Sequence, residues 1–392
     1  MNLILIAWKN IHAERVKKML NIILLASGIA VINIILLVDH QVKEKLEANA
    51  GKVDMVIGAK GSPLQLILSG IYHVDFPTGN INLNEVKPLL KHPYVKESVP
   101  IAMGDSYNGV RIVGTNQDFF SFYDLKMAKG ISWKREFEAV AGANAARVLN
   151  IKQGNTFHSS HGLTPGGDVH NNEFTLTGIL EKSGTVTDDL IFTGLETIWH
   201  MHEHAQIEQK EEDKEITALL IKYTTPLAVP VFPRIVNNTG ALQSASPALE
   251  TARLYALLGS GFDLVRAFGI LIILLAAFSV FIVLYTSLSE RKTELALFRT
   301  MGASRQKVFF LILIEGIIIS LIGTIAGLFT AHMVLVFTDY FFPLKNMAIN
   351  GFVFIPGELL ILLFGIIAGI LASVIPAIGA YKTAISTVLA KA

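Results

Sequence analysis

The chain has no cysteine among its 392 residues. Disulfides, thiolate nucleophiles and cysteine metal sites are therefore excluded, and any bound zinc would need nitrogen and oxygen ligands. Charge is scarce, at 17% of residues, and nearly balanced, at a net +1. The basic residues are scattered or sit beside apolar runs, so nothing reads as a nucleic-acid-binding surface. No G-x-x-x-x-G-K-[ST] occurs; GAKGSP at 58–63 is glycine-rich but wrongly spaced for a P-loop. Asp105, Ser106 and the nearby histidines form no recognisable nucleophile arrangement, and no catalytic residue is assigned.

What the chain does have is apolar length, with 52% hydrophobic residues. Four runs are long enough to span a bilayer, which takes about 20 residues. They are Met19–Val38, Leu264–Leu288, Val308–Phe337 and Glu358–Ile375. The third exceeds a span and should tilt or project. The first lacks Ala-x-Ala-like cleavage chemistry, since Asp39, His40 and Gln41 follow it, and it reads as a retained anchor. Basic residues set the orientation. Lys9, Arg15, Lys17 and Lys18 precede span one, and Arg291, Lys292, Arg299, Arg305 and Lys307 lie between spans two and three. Segments 1–18, 289–307 and 376–392 are therefore expected in the cytoplasm. The short loop 338–357 and the large segment 39–263 are expected outside. The expected fold is a membrane protein of four transmembrane α-helices, with a large extracytoplasmic α+β domain between helices 1 and 2.

In that domain 53–59, 110–115, 174–180 and 216–223 are rich in β-branched residues and read as strands. Asn84–Lys91, Gly142–Leu149 and Glu250–Leu258 read as helices, and polar Lys152–Asn172 as an exposed loop. The run Leu64–Ile71 suits either an apolar surface helix or domain core. Histidines are the unusual feature: His158, His161 and His170, then His200, His202 and His204 in LETIWHMHEHAQ. If that stretch is a helix, Glu196, His200, His204 and Glu208 form an i, i+4 stripe; if a strand, His200, His202 and His204 share a face. Either spacing permits zinc, with the earlier histidines completing the shell if the fold brings them near. The alternative is a set of exposed polar residues, or groups that sense pH.

The most informative stretch is Ser289–Leu328, a charged segment between two apolar runs. Leu295, Leu297 and Phe298 can anchor it to lipid or protein. Glu290, Arg291, Glu294 and Arg299 can form ion pairs across a cytoplasmic interface, and Gly302 can end the helix. A basic juxtamembrane helix held by anionic lipid is the competing reading. Glu315 lies within an apolar run and needs a partner, either in a buried hydrogen bond or in a proton relay. The pairs Gly323–Gly327 and Gly365–Gly369 have the spacing for close helix packing.

Read together, these features resemble the permease subunits of the MacB/FtsX/LolC family of ABC transporters. The motif E-R-x-x-E-x-A-x-x-R-x-x-G-A-x-x-x-x-V is carried by Glu290, Arg291, Glu294, Ala296, Arg299, Gly302, Ala303 and Val308. AWKNIHAERVKKML at the start and AVAGANAARVLNIKQGNTF in the external domain resemble further family segments. In the tail Pro376, Ala377, Ala380 and Leu389 match, but Ile385 replaces a second proline and only Lys382 and Lys391 are basic. The resemblance implies a coupling helix at 289–307 seated in a separate ABC ATPase, which would hold the ATP and Mg. It also implies mechanotransmission by a dimer with two ATPases, the second permease copy being identical or a paralogue, in the inner membrane of a Gram-negative cell. Export, efflux and lipoprotein release are the implied outcomes, with an adaptor, a lipoprotein or a metal-binding protein as a further partner. Control of an external hydrolase, as in the cell-division branch, and zinc handling by the histidine face are the alternatives.

Overall fold

A computed structural model describes residues 3–13, 15–162, 169–202, 214–341 and 349–382. It divides into two compact units, 1–41 with 258–392, and 42–257.

The first unit is helical. Its elements are α1 (Leu3–Ala13), the bundle part of α2 (Arg15–Ala50), and the later helices α9 (Pro247–Glu290), α10 (Lys292–Thr300), α11 (Arg305–Phe341) and α12 (Gly357–Lys382). Among the described residues four helices, α2, α9, α11 and α12, are long and apolar enough to cross a membrane. All four exceed the bilayer's hydrocarbon core. At about 1.5 Å per residue, α2 with 36 residues, α9 with 44, α11 with 37 and α12 with 26 reach about 54, 66, 56 and 39 Å, against a core of about 30 Å. The helix that carries span four runs past residue 375: α12 continues through buried Pro376 to Lys382.

Small residues let the spans approach. A methyl group on Gly369 of α12 would collide with Ser320 of α11, and one on Gly316 would lie 2.6 Å from Ser373. Gly323 and Gly327 likewise face Leu25 and Ile29 of α2. Both glycine pairs singled out in the sequence are thus occupied by contacts within the chain.

The second unit is the α+β domain. It begins with β1 (Met55–Ala59), α3 (Pro63–Gly70), β2 (Ile81–Asn82), α4 (Leu83–Leu90), β3 (Val95–Tyr107) and β4 (Val110–Thr115). Next come α5 (Asp118–Phe122), β5 (Met127–Gly130), β6 (Glu138–Ala141), α6 (Ala143–Val148), β7 (Thr156–His161) and β8 (Val169–Leu180). It closes with β9 (Ile191–Gly194), α7 (Leu195–His202), β10 (Glu215–Ile216), β11 (Ala218–Tyr223), α8 (Ala228–Asn237) and β12 (Leu242–Ala245). The main sheet runs β12-β1-β11-β3-β4-β9-β6-β8-β5, and β7 joins β3 to β8. Helix starts follow local chemistry: Asn82 caps α4 by accepting from the Asn84 amide at 2.7 Å, and Pro63 opens α3 behind the Ser62 cap. The core gathers Met55, Ile57, Ile112, Phe157, Phe174, Ile191 and Phe232.

One expectation is corrected and one open alternative is resolved. Lys152–Asn172 is not wholly an exposed loop, because Thr156–His161 and Val169 onward pair as antiparallel strands, while 163–168 lie outside the described residues. Phe157 and Ser159 are buried between exposed neighbours, the alternation of a half-buried strand that the polar composition concealed. The Leu64–Ile71 run takes the second of its two readings, domain core. Leu66 and Ile67 of α3 are buried, as is Tyr72, whose hydroxyl donates to the Leu46 carbonyl at 3.1 Å.

Candidate functional site

In the helical unit, α10 is held by one face. Leu295 is buried with Ala7, Leu288, Val308 and Ala377, and Phe298 packs against that cluster. Arg291 donates to Glu294 at 3.0 Å and to Asn10 at 2.5 Å, while Glu290 is paired with Lys17 at 3.1 Å. Arg291, Phe298 and Arg299 are half-buried. Part of the charge expected to reach a partner is therefore spent holding α10 in place. The outward face carries Thr293, Glu294, Leu297, Thr300 and Met301, of which Met301 is 83% exposed.

The helix ends in a Schellman motif. The Gly302 amide donates to the Arg299 carbonyl at 3.1 Å, and the Ala303 amide donates to the Phe298 carbonyl at 3.0 Å. Gly302 has φ +98°, a conformation suited to glycine.

Deeper in the bundle, Glu315 is fully buried and paired with Lys18, itself fully buried and donating to the Asn10 carbonyl at 2.9 Å. Lys18 is thus not one of the solvated charges before span one. A second buried pair escaped the sequence reading. His332 of α11 stands 3.0 Å from Glu358 of α12 through Nε2 and contacts the Gly351 carbonyl through Nδ1 at 2.7 Å.

In the α+β domain the histidines separate. His161, His170 and His202 converge on Asp105, which is itself fully buried. His161 Nδ1 lies 3.4 Å and His170 Nε2 3.2 Å from Asp105 Oδ1, and His202 Nε2 lies 3.4 Å from Oδ2. Burial pushes the Asp105 carboxyl up, but His202 and His170 beside it more than offset this, so it is held below its ordinary value. Asp105 raises His202 in turn.

Four elements build this cluster. Asp105 sits where β3 gains an extra residue against β4, between Met103 and Ser106, and such a bulge re-aims side chains. His161 ends β7, His170 lies at the start of β8, and His202 ends α7. Gly104 gives His202 room, since a methyl group there would lie 3.3 Å from Nε2. Ser106 Oγ donates to the Gly162 carbonyl at 2.5 Å and fastens the end of β7 to β3.

The other expected ligands lie elsewhere. LETIWHMH is helical, yet the i, i+4 stripe does not assemble: His200 pairs with Glu136 at 3.1 Å, and His204 and Glu208 are outside the described residues. Glu196 lies toward Gly194 and Trp133 rather than in the cluster. His158 pairs opposite Glu173. Asp105 was the missed member.

A family model described as the MacB-like periplasmic core domain matches residues 19–229, more than half of the chain. A second, the FtsX-like permease C-terminal domain, matches residues 266–385. The chain belongs to the MacB/FtsX-type ABC transporter permeases. It is a multi-pass membrane protein with an extracytoplasmic domain, and permeases of this family work with ABC ATPases. Among solved structures, the periplasmic region of MacB from Actinobacillus actinomycetemcomitans aligns with a TM-score of 0.37 at 10% identity, covering 54% of this chain and 97% of that one. The extracellular domain of the noncanonic ABC-type transporter YknZ from Gram-positive bacteria aligns with a TM-score of 0.33 at 11% identity, covering 49% and 99%. No curated protein matches this sequence.

Proposed function

We propose that this permease couples ATP hydrolysis on a separate ABC ATPase to motion of its extracytoplasmic domain, for export, efflux or lipoprotein release. Two permeases and two ATPases form the working unit in the inner membrane, with both termini and α10 on the cytoplasmic side. The geometry of α10 carries the reading. One face is fixed to the bundle through Leu295 and Arg291, and the other presents Leu297, Met301 and Glu294 outward. A lever needs both a rigid seat and a free face. The unbroken length of α2 and α9 supports transmission beyond the bilayer.

The test is purification from native membranes with the ATPase as the readout. Burying a leucine contributes about 1.5–3 kcal/mol, so Leu297→Asp should lower ATPase recovery roughly tenfold or more without changing permease yield. A lipid-held helix would instead leave recovery unchanged. Undiminished recovery from Leu297→Asp/Met301→Asp would sink the coupling-helix assignment.

A further inference from the structure

We infer that the extracytoplasmic domain carries an exchangeable zinc site made by Asp105, His161 and His202, with His170 orienting the carboxylate. This goes beyond the ATPase reading and stands apart from it, because metal binding is measured on the permease alone.

The first argument is an unmet electrostatic need. Asp105 is fully buried, and among the described residues its Oδ2 has only a long contact with His202 Nε2, at 3.4 Å. A buried carboxylate is costly unless a cation or good donors answer it. Its neighbours here are three imidazoles, each of which supplies a full positive charge only by taking up a proton. One divalent ion answers the carboxylate and uses the imidazoles in their neutral form.

The second argument is geometric. One ligand atom each from Asp105, His161 and His202 fall within 4.8 Å of one another. Zinc bonds of about 2.0–2.1 Å set tetrahedral ligand atoms roughly 3.3 Å apart. The His161 and His202 nitrogens already lie 3.4 Å from the carboxylate oxygens. Their rings are 5.5 Å apart and steeply inclined, at 75°, so that closure needs only small side-chain rotations. His170 contacts Oδ1 at 3.2 Å, the position of a group that orients a metal-bound carboxylate.

The third argument is access. The carboxylate forms the floor, and the His161 side chain, 63% exposed, stands at the mouth. Three protein ligands leave a fourth position open to water or to a donor from outside, as in sites that keep an open coordination position. Nitrogen and carboxylate donors in a compact set suit zinc; hard ions such as magnesium and calcium prefer all-oxygen shells.

The test uses the full-length permease, purified without a histidine tag and stripped of metal. Zinc is titrated against a chromophoric chelator, and cobalt is added separately to read its visible spectrum. The expected result is one zinc per chain at micromolar affinity or tighter, with the intense absorption of tetrahedral cobalt. His161→Ala, at an exposed position that leaves the core untouched, should weaken binding by at least about tenfold, and Asp105→Asn and His202→Ala should do the same. His170→Ala should weaken it about 10–100-fold, and His158→Ala and His200→Ala should leave it unchanged. Zinc should raise the Tm of the wild type but not of Asp105→Asn. Absence of micromolar binding, or binding that survives in Asp105→Asn/His161→Ala, overturns the assignment.

Discussion

The two units bury an acid in different ways. In the helical bundle, Glu315 meets the fixed cation of Lys18. In the α+β domain, Asp105 meets three imidazoles, whose charge depends on protons. The first holds its counter-charge within the chain, and the second gains one from a proton or a metal ion. Each carboxylate keeps one oxygen without a hydrogen bond, Glu315 Oε2 and Asp105 Oδ2, so the difference lies in the kind of counter-charge.

The largest expected effect comes from opening the closed pair. Glu315→Ala leaves Lys18 buried without its counter-charge and should cost about 3–5 kcal/mol of stability. The double substitution Lys18→Met/Glu315→Leu removes both charges at similar volume and should recover most of that loss. Thermal unfolding of the detergent-purified variants checks both. If the double variant is no more stable than Glu315→Ala, the pair does more than hold the bundle, and the comparison with Asp105 fails on that side.

A third titratable group sharpens the contrast. His73 is buried beside Arg111, whose Nη2 donates to the Asp75 carbonyl at 3.1 Å, and its own Nδ1 contacts Met103 Sδ at 3.2 Å. Burial, and then the neighbouring guanidinium, lower its pKa to about 3. Below about pH 6.5 the unfolded chain takes up a proton on this residue that the folded chain refuses, so stability falls as pH falls. The slope is about 1.4 kcal/mol per pH unit, or about 2 kcal/mol between pH 6.5 and 5. His73→Leu should flatten that slope; an equally steep slope in the variant would show that other groups carry it. Asp105 favours the charged form of His202, whereas Arg111 disfavours that of His73.

How far each of these was legible depended on sequence distance. Glu315 stood out because a carboxylate inside an apolar run needs a partner. Lys18 did not, because a lysine just before a span looks like an orienting charge. Asp105 lies in an ordinary strand, and the histidines that face it are 56, 65 and 97 residues away, a pairing that only the β3–β7–β8 contacts and the end of α7 create. The same lack of facing information admitted His158, His200 and Glu196 to the candidate list. The span pattern and α+β character were readable from apolar length and β-branched runs. The pairing of β7 with β8 was not, since the exposed faces of these strands are polar. The position of α10 was readable too, but not which of its charges were already engaged.

Gly302 is a further point where local sequence determined structure. Any other L-residue at φ +98° is strained, and no atom lies within 4 Å to add a steric cost. Gly302→Ala should therefore cost about 1–2 kcal/mol through the backbone alone. Hydrogen exchange should localise the loss to the last turn of α10. Equal loss across the whole bundle would mean that Gly302 serves packing rather than the helix end.

The smallest expected effect tests what joins the two units along the chain. Gly259 and Gly261 lie inside the continuous helix α9, and an added methyl group at either would meet nothing within 4 Å. Replacing each with alanine should stabilise the helix by about 0.5–1 kcal/mol, because glycine's extra backbone freedom is lost from the unfolded chain. Amide exchange around 258–262 should slow accordingly. If α9 acts as a stiff rod, ATP-dependent change in the external domain should persist in Gly259→Ala/Gly261→Ala. Loss of that response with ATPase recovery intact would instead make the glycines a working hinge, and motion would then depend on bending within α9 rather than on its stiffness.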